Sequence, residues 1–465
     1  WAKAGSNWYY LDEDGNMLLD SWVDDEYYVG EDGAMLVNEW KKTYADEDMD
    51  DPDEDGEHWY YFGSKGKKVV DDTRKINGRT YLFDEDGQMQ YGWQDIDGEG
   101  YYFGGEDEGW RTEDQWLWLE RSGMVDEDED EQDQLLGCID DDDDMCDDEG
   151  WYWFQSSGKM YHDDAKKKIN GKYYIFNEHG QMLYEWINGT ARTVGSNAQL
   201  DGNLAEGATP AVADDMLYYN VVEDGSRGTG WYEIDGAVDM GADSDTDWYY
   251  IDDGDITHAG ANDLAVGVMD DGKPVYRMRD KIKESGNKYF CFNEKGQMQT
   301  GLQYLQDEGG FFYYDENGYQ EDGRVASVEC EDDDYTFYFN TSNGKNGLGY
   351  TGEKDNYLYF NGKRLEADDD YRFYYVDGHV YLVNTKGKVQ KATSDDGKEF
   401  DDIENEWFSG EEEVVVKTNK NGVVTYIARD KNNVYDNEKE IREAIIKDFP
   451  ADVTEDNWIS IPFIQ

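Results

Sequence analysis

The chain has 465 residues, with 110 acidic against 42 basic side chains and a formal net charge of −68 at pH 7. Such a charge repels nucleic acid and anionic membrane surfaces and favours cationic ligands. So acidic a composition would suit disorder, but 16 Trp, 38 Tyr and 17 Phe argue for a folded chain, and at this length for more than one core.

A short phrase opens the chain and returns along it. Trp8 to Met17 reads WYYLDEDGNM, Thr80 to Met89 reads TYLFDEDGQM, Tyr173 to Met182 reads YYIFNEHGQM and Tyr289 to Met298 reads YFCFNEKGQM. A phrase of this size is one β-hairpin, and its repetition predicts stacked hairpins rather than one central pocket. Turn glycines recur every 18 to 22 residues, as from Gly15 to Gly33, Gly66 to Gly87 and Gly158 to Gly180. Asp-Gly and Asn-Gly pairs at the tips tolerate the positive φ that tight turns demand. In Trp8-Tyr9-Tyr10-Leu11 both strand faces are apolar. A sheet wet on one face would alternate apolar with polar, so each hairpin is expected to be covered on two sides by its neighbours.

A longer period overlies the short one. Thr73 to Trp93, Lys166 to Trp186 and Asp280 to Leu302 read alike, so blocks of about a hundred residues look duplicated and then degraded. Acidic insertions at Asp46 to Glu57, Val125 to Asp133 and Asp140 to Glu149 read as exposed loops, and Ala191 to Ala213 as a long loop. Beyond residue 400 the phrase fades. Asn437 followed by Glu440 reads as a capping box opening a helix, with Ile441, Ala444, Ile445 and Phe449 on its apolar side. The expected architecture is all-β, a solenoid of stacked hairpins over residues 1–400, with a small α+β module over 401–465.

The remaining signals are sparser. Cys138 and Cys146 flank an acidic run and are either a disulfide closing a short loop or two free thiols; Cys291 stands where other phrases carry a buried apolar residue. No Cys-x-x-Cys pair or His cluster suggests zinc. Asp51, Asp53 and Asp55 match half a calcium loop, but Phe62 stands where an EF-hand needs Glu, so only weak calcium binding is expected there or at Asp243, Asp245 and Asp247. Lysine islands at Lys65, Lys67 and Lys68, at Lys166 to Lys168 and at Lys281 and Lys283 are expected to pair with acidic neighbours, or with acidic loops of a second copy in self-association. No nucleophile motif or glycine-rich phosphate loop is present, so the chain is not expected to be an enzyme. No run of 18 apolar residues and no signal peptide occurs. The mid-phrase start at Trp1 suggests a mature product or a fragment.

The phrase resembles the cell-wall-binding repeats of Gram-positive surface proteins, which include choline-binding repeats, glucan-binding repeats and those of large clostridial toxins. Tyr91-Gly92-Trp93 leads to Tyr101-Tyr102-Phe103, Gly230-Trp231 to Trp248-Tyr249-Tyr250, and Trp22 to Tyr27-Tyr28 and Met35. The resemblance covers about residues 1 to 400. It implies ligand sites between successive hairpins, where aromatic faces replace the hydration of a quaternary ammonium or stack on sugar rings. Carried over, it points to Trp22 with Tyr28 and Met35, to Trp93 with Tyr102, and to Trp40 with Trp59 and Tyr61. Glu26 stands where a Trp is expected, and Leu302 and Leu82 replace ring positions, which leaves several sites incomplete. The implied function is a secreted, non-catalytic binding protein of the Gram-positive cell surface, with wall choline or glycans as partners. The alternatives are a structural spacer or self-assembling surface array, or the targeting region of a larger secreted enzyme.

Overall fold

The computed structural model describes residues 1–49, 56–122, 136, 146–162, 166–188, 216–235, 246–260, 275–279, 288–305, 308–330, 333–342, 346–368, 370–395, 397–403 and 414–448. The chain divides into two compact units, one of Trp1–Asn203 with Asp215–Gly228, the other of Leu204–Asp214 with Thr229–Gln465.

Unit 1 is a series of antiparallel hairpins. Hairpin 1 pairs Ala2–Ala4 with Asn7–Tyr9, hairpin 2 Ser21–Val23 with Tyr27–Val29, and hairpin 3 Glu39–Thr43 with His58–Phe62. Hairpin 4 pairs Asp72–Ile76 with Arg79–Phe83, and hairpin 5 pairs Trp93–Ile96 with Glu99–Tyr102. Hairpin 6 pairs Gln115–Glu120 with Glu149–Phe154, hairpin 7 Lys167–Ile169 with Lys172–Tyr174, and hairpin 8 Trp186–Asn188 with Met216–Tyr218. Unit 2 continues the pattern. Hairpin 9 pairs Gly230–Asp235 with Thr246–Asp252, hairpin 10 Val275–Arg279 with Tyr289–Asn293, and hairpin 11 Gly301–Leu305 with Gly310–Tyr314. Further hairpins follow at Gly323–Cys330 with Asp333–Phe339, Gly352–Lys354 with Tyr357–Phe360, and Tyr371–Val376 with His379–Asn384. The architecture is all-β, as the phrase requires.

Each letter of the phrase has a mechanical role. An apolar anchor lies at or within two residues of the end of most second strands: Val29, Phe62, Phe83, Phe154, Phe176, Ile251 and Phe292 are all essentially inaccessible. After Phe83, Phe176 and Phe292 comes Asp or Asn, whose side chain accepts hydrogen bonds from the amides two and four residues on. Asp84 Oδ1 takes those of Asp86 and Gln88, and Asn293 Oδ1 those of Lys295 and Gln297, at 2.7–3.0 Å. This Asx turn closes the loop. Four after the anchor stands glycine with positive φ, such as Gly180 at +83°, and a Cβ there would meet Met160 Sδ at 2.5 Å. Only glycine fits, because both the backbone conformation and the packed thioether exclude a side chain.

Methionine, six after the anchor, joins one hairpin to the one before. Its amide donates to the carbonyl of the residue three before the preceding anchor: Met35 to Trp8, Met89 to Trp59, Met182 to Trp151 and Met298 to Trp248, at 2.8–2.9 Å. Lys68 bonds Glu26 in the same way, Met160 bonds Gly100 and Gln320 bonds Tyr289. The staple answers how a marginal two-stranded hairpin is held: its neighbour supplies both a backbone bond and apolar cover.

At the C-terminal end, Lys398–Ile403, Val414–Thr418, Val424–Ala428 and Val434–Tyr435 form a four-stranded sheet, followed by helix α1, Glu438–Asp448. The Asn437 side chain caps the helix, accepting the Glu440 amide at 3.0 Å. Ile441 and Ile445 pack with Val416, Ile427, Phe373 and Leu382, so this element shares one core with the hairpin before it. Phe449 lies outside the described residues, as do Asp51, Asp53, Asp55, Asp243 and Asp245.

Candidate functional site

Within each unit the staple leaves a seam between stapled neighbouring hairpins, and four side-chain positions line it. One is the first-strand residue paired with the residue just before the anchor. A second lies three before the anchor. The third comes from the next hairpin, two before its anchor, and the fourth is the stapling residue itself.

In the seam of hairpins 6 and 7 these positions hold Trp116, Trp151, Tyr174 and Met182. Trp116 pairs with Trp153 across hairpin 6, and its ring centroid lies 4.9 Å from that of Tyr174. Phe176 stacks beneath Trp116 at 5.6 Å and fixes its plane. The four residues open onto a cavity of about 350 Å³, with Lys172, Val222, Glu223 and Asp224 at its rim. Lys172 Nζ donates to Asp224 at 2.8 Å. Burial pushes the Asp224 carboxyl up, but hydrogen bonds from Lys172 and Ser226 outweigh it and hold the group below the usual carboxylate range, so the rim stays ionised. Trp118, exposed, meets Trp151 edge-on at 5.6 Å and donates its indole N–H to Glu149. Three ring faces, a thioether and two carboxylates around one hollow suit an organic cation, which gains from π-faces what it loses in hydration.

The same four positions are aromatic-rich in three other seams. Between hairpins 1 and 2 they are Trp1, Trp8, Tyr27 and Met35, with Trp1 5.3 Å from Tyr27 and Trp8 40% exposed. Between hairpins 3 and 4 they are Trp40, Trp59, Tyr81 and Met89, with Trp40 4.8 Å from Tyr81. Between hairpins 9 and 10 they are Trp231, Trp248, Phe290 and Met298, with Trp231 4.5 Å from Phe290.

Sequence comparison places these seams in a known setting. Profiles for the choline-binding repeat match residues 1–35 and 70–116, and the putative cell wall binding repeat matches residues 54–68 and 146–160. Over those segments the chain carries cell-wall-binding repeats of the choline-binding type. No curated protein matches. Among solved structures, CbpJ from Streptococcus pneumoniae is 18% identical, with 76% of this chain and 99% of that one covered and a TM-score of 0.41. Choline binding protein F from the same organism, solved in the presence of a peptidoglycan analogue, is 19% identical over 76% and 97%, with a TM-score of 0.39. The modular autolysin LytC of S. pneumoniae is 15% identical over 68% of this chain, which spans 46% of the autolysin, with a TM-score of 0.32.

The residues expected to form sites sort unevenly. Trp40, Trp59 and Tyr61 do converge, with Trp40 5.0 Å from Tyr61, and Tyr81 and Met89 complete the set. The hairpin 5 loop folds over them. Asp107 accepts the Trp59 indole N–H at 3.0 Å and pairs with Lys42 at 2.9 Å. These two donors hold the Asp107 carboxyl below its ordinary range.

Trp22, Tyr28 and Met35 do not form one set. Met35 staples to Trp8 and so belongs to the seam before. Trp22 and Tyr28 are buried against Tyr60 and Phe62, 5.3 Å from each other, and the Trp22 indole N–H goes to the Tyr44 carbonyl. Their open faces are taken by the protein's own cations, Lys68 over Trp22 at 5.3 Å and Lys41 over Tyr28 at 5.0 Å. Trp93 and Tyr102 lie 5.4 Å apart. Gly100 stands where a second Trp is needed, and a Cβ there would meet Leu136 at 3.2 Å, so an aliphatic side chain fills that space.

Trp116, Trp151, Tyr174 and Met182 were missed because 35 positions of sequence separate Trp116 from Trp151 in hairpin 6, against 19 between Trp40 and Trp59 in hairpin 3. The usable signal was the Trp at the third position before the anchor, present at Trp8, Trp59, Trp151 and Trp248.

Of the lysine islands, two members pair with acidic groups and three lie over rings, while Lys281 and Lys283 lie outside the described residues. Lys67 bonds Glu26 and Lys68 bonds Asp25, at 2.5 and 2.6 Å. Lys166 and Lys168 lie over the Tyr173 ring and Lys167 over Tyr161. Cys291 is free and buried, which pushes its thiol pKa up, and Cys330 is buried as well. Cys146 is disulfide-bonded, while Cys138 lies outside the described residues. Among the described residues no group of three or more His, Cys, Asp or Glu is placed to hold a metal ion, and no helix is long and apolar enough to cross a membrane.

Proposed function

We propose that this chain is a non-catalytic binding protein of the Gram-positive cell surface, and that the Trp116–Trp151–Tyr174–Met182 groove holds a quaternary-ammonium head group such as wall choline. One observation carries the reading: ring faces from two successive hairpins and a thioether enclose a hollow of about 350 Å³ with carboxylates at its rim. A quaternary ammonium donates no strong hydrogen bond, so water holds it weakly and π-faces substitute, at ~0.5–2 kcal/mol per ring. The net charge of −68 adds long-range attraction for any cation. The seam of hairpins 1 and 2 and that of hairpins 9 and 10 are the next places to hold the same ligand, with exposed Trp8 and Trp248.

The test is a calorimetric titration with choline, run beside Trp116→Ala and a wall-retention assay. Heat from the wild type and a loss of affinity of about 10-fold or more in the variant are expected. No heat from choline together with no retention on choline-bearing walls would reject the reading. Weakly binding protein that stacks soluble glucans instead would move the groove to sugars, with exposed Trp118 as the platform.

A further inference from the structure

The seam of hairpins 10 and 11 is built like the open one but carries its own cation. Arg277 pairs with Cys291, just before the anchor Phe292, and so stands where hairpins 6 and 9 carry Trp116 and Trp231. The other three positions are Tyr289, Phe312 and Gln320, and Gln320 makes the usual staple to the Tyr289 carbonyl at 3.0 Å. The guanidinium lies over the Tyr289 ring at 3.9 Å and over the Phe312 ring at 4.7 Å. Its Nε donates to Gln320 Oε1 at 2.8 Å, and one terminal nitrogen donates to Glu308 at 3.1 Å. The other terminal nitrogen reaches the Asn346 carbonyl at 3.5 Å.

The geometry points to Arg277 as a resident guest: a tethered cation that occupies the ligand place of its own seam and closes it to external ammonium ions. The two rings face the guanidinium as Trp151 and Tyr174 face the open groove, since they hold the same two positions of the repeat. Gln320 replaces the stapling methionine with a hydrogen-bond acceptor, which a guanidinium uses and a quaternary ammonium does not. Glu308 supplies the carboxylate that the open groove has in Asp224. The side chain is only 16% exposed, so the slot is filled rather than merely overhung. Arg277 therefore sets specificity. It removes this seam from those that take outside ligand, and it holds hairpins 10 and 11 together with a bond that needs nothing from solution.

Chemical rescue of Arg277→Ala tests this, using the full chain and methylguanidinium chloride against equal NaCl. The variant is expected to melt lower than the wild type. Methylguanidinium at millimolar concentration is expected to raise its melting temperature by about 2 °C or more while leaving the wild type at its salt control. Tetramethylammonium is expected to do less, because it donates nothing to Gln320 or Glu308. Should the variant not fold by itself, methylguanidinium is expected to restore the near-UV circular dichroism of its aromatic rings. No rise and no restoration, or an equal rise in wild type, overturns the proposal. The readout is independent of choline, so silence of the Trp116 groove in the titration above leaves it standing, and its own failure leaves that groove untouched.

Discussion

The seams of hairpins 6/7 and 10/11 share a backbone and differ in their guest. In both, a residue six after the anchor staples to the previous hairpin, through Met182 to Trp151 and through Gln320 to Tyr289. In the first, Trp116 leaves a hollow; in the second, Arg277 fills it. A third outcome appears one hairpin on, where Leu302, Phe311 and Phe337 are buried together as ordinary core. The frame is thus set by the anchor, the Asx turn, the glycine and the staple. What the seam takes up is set by the first-strand residue, the one three before the anchor and the side chain of the stapling residue, of which the frame uses only the backbone.

The comparison breaks most severely when the shared frame is removed. Phe176→Ala takes away the inaccessible anchor under Trp116, and should cost about 3–5 kcal/mol in urea unfolding of unit 1. If the loss stays under ~1 kcal/mol, the anchor is not what holds the hairpins. Converting one seam type to the other is the next largest effect. Met182→Lys puts an ammonium at the position from which Lys68 covers Trp22, and should lower choline affinity about 10-fold in the same titration. Unchanged affinity would show that the stapling residue does not choose the guest.

The smallest effect is acidic. Asp20 is held below its ordinary pKa by the Lys41 hydrogen bond, against burial, and Asp224 is lowered despite burial by Lys172 and Ser226. Groups lowered on folding stabilise the protein above the unfolded carboxylate value and lose that contribution as pH falls through the folded one. Both groups are partly exposed and screened, so less than ~1 kcal/mol is at stake, below about pH 4. Melting curves between pH 5 and pH 3 should show a decline that Asp20→Asn blunts, and choline affinity should fall over the same window as Asp224 protonates.

Much of the frame was legible in the sequence, because the turn residues act within one phrase. Asp84, Gly87 and Met89 all lie within six residues of Phe83, and local chemistry dictates each. The helix cap at Asn437 was readable for the same reason. The site was less legible, since its members come from different phrases. Met35 sits beside Tyr28 in sequence yet serves Trp8, as the staple runs backwards by a whole hairpin. Nor does any pattern announce that Leu136 fills the space beside Gly100, because it arrives from an insertion. The ring count showed that seams exist, while occupancy by Lys68 or Arg277 depends on reach across hairpins.

The stapling bond also governs where this chain tolerates growth. From anchor to staple the spacing is six residues in most repeats and eight from Phe103 to Arg111 and from Tyr219 to Arg227, where the longer turn still delivers the amide to the carbonyls of Thr80 and Tyr173. The far ends of the hairpins take much longer additions. The acidic stretches Asp46 to Glu57, Val125 to Asp133 and Asp140 to Glu149 all fall there, between Thr43 and His58 or between Glu120 and Glu149. Lineages of such proteins should therefore lengthen chiefly at one end of each hairpin, gathering new charged sequence there, while the stapled end grows only by the few residues its turn absorbs.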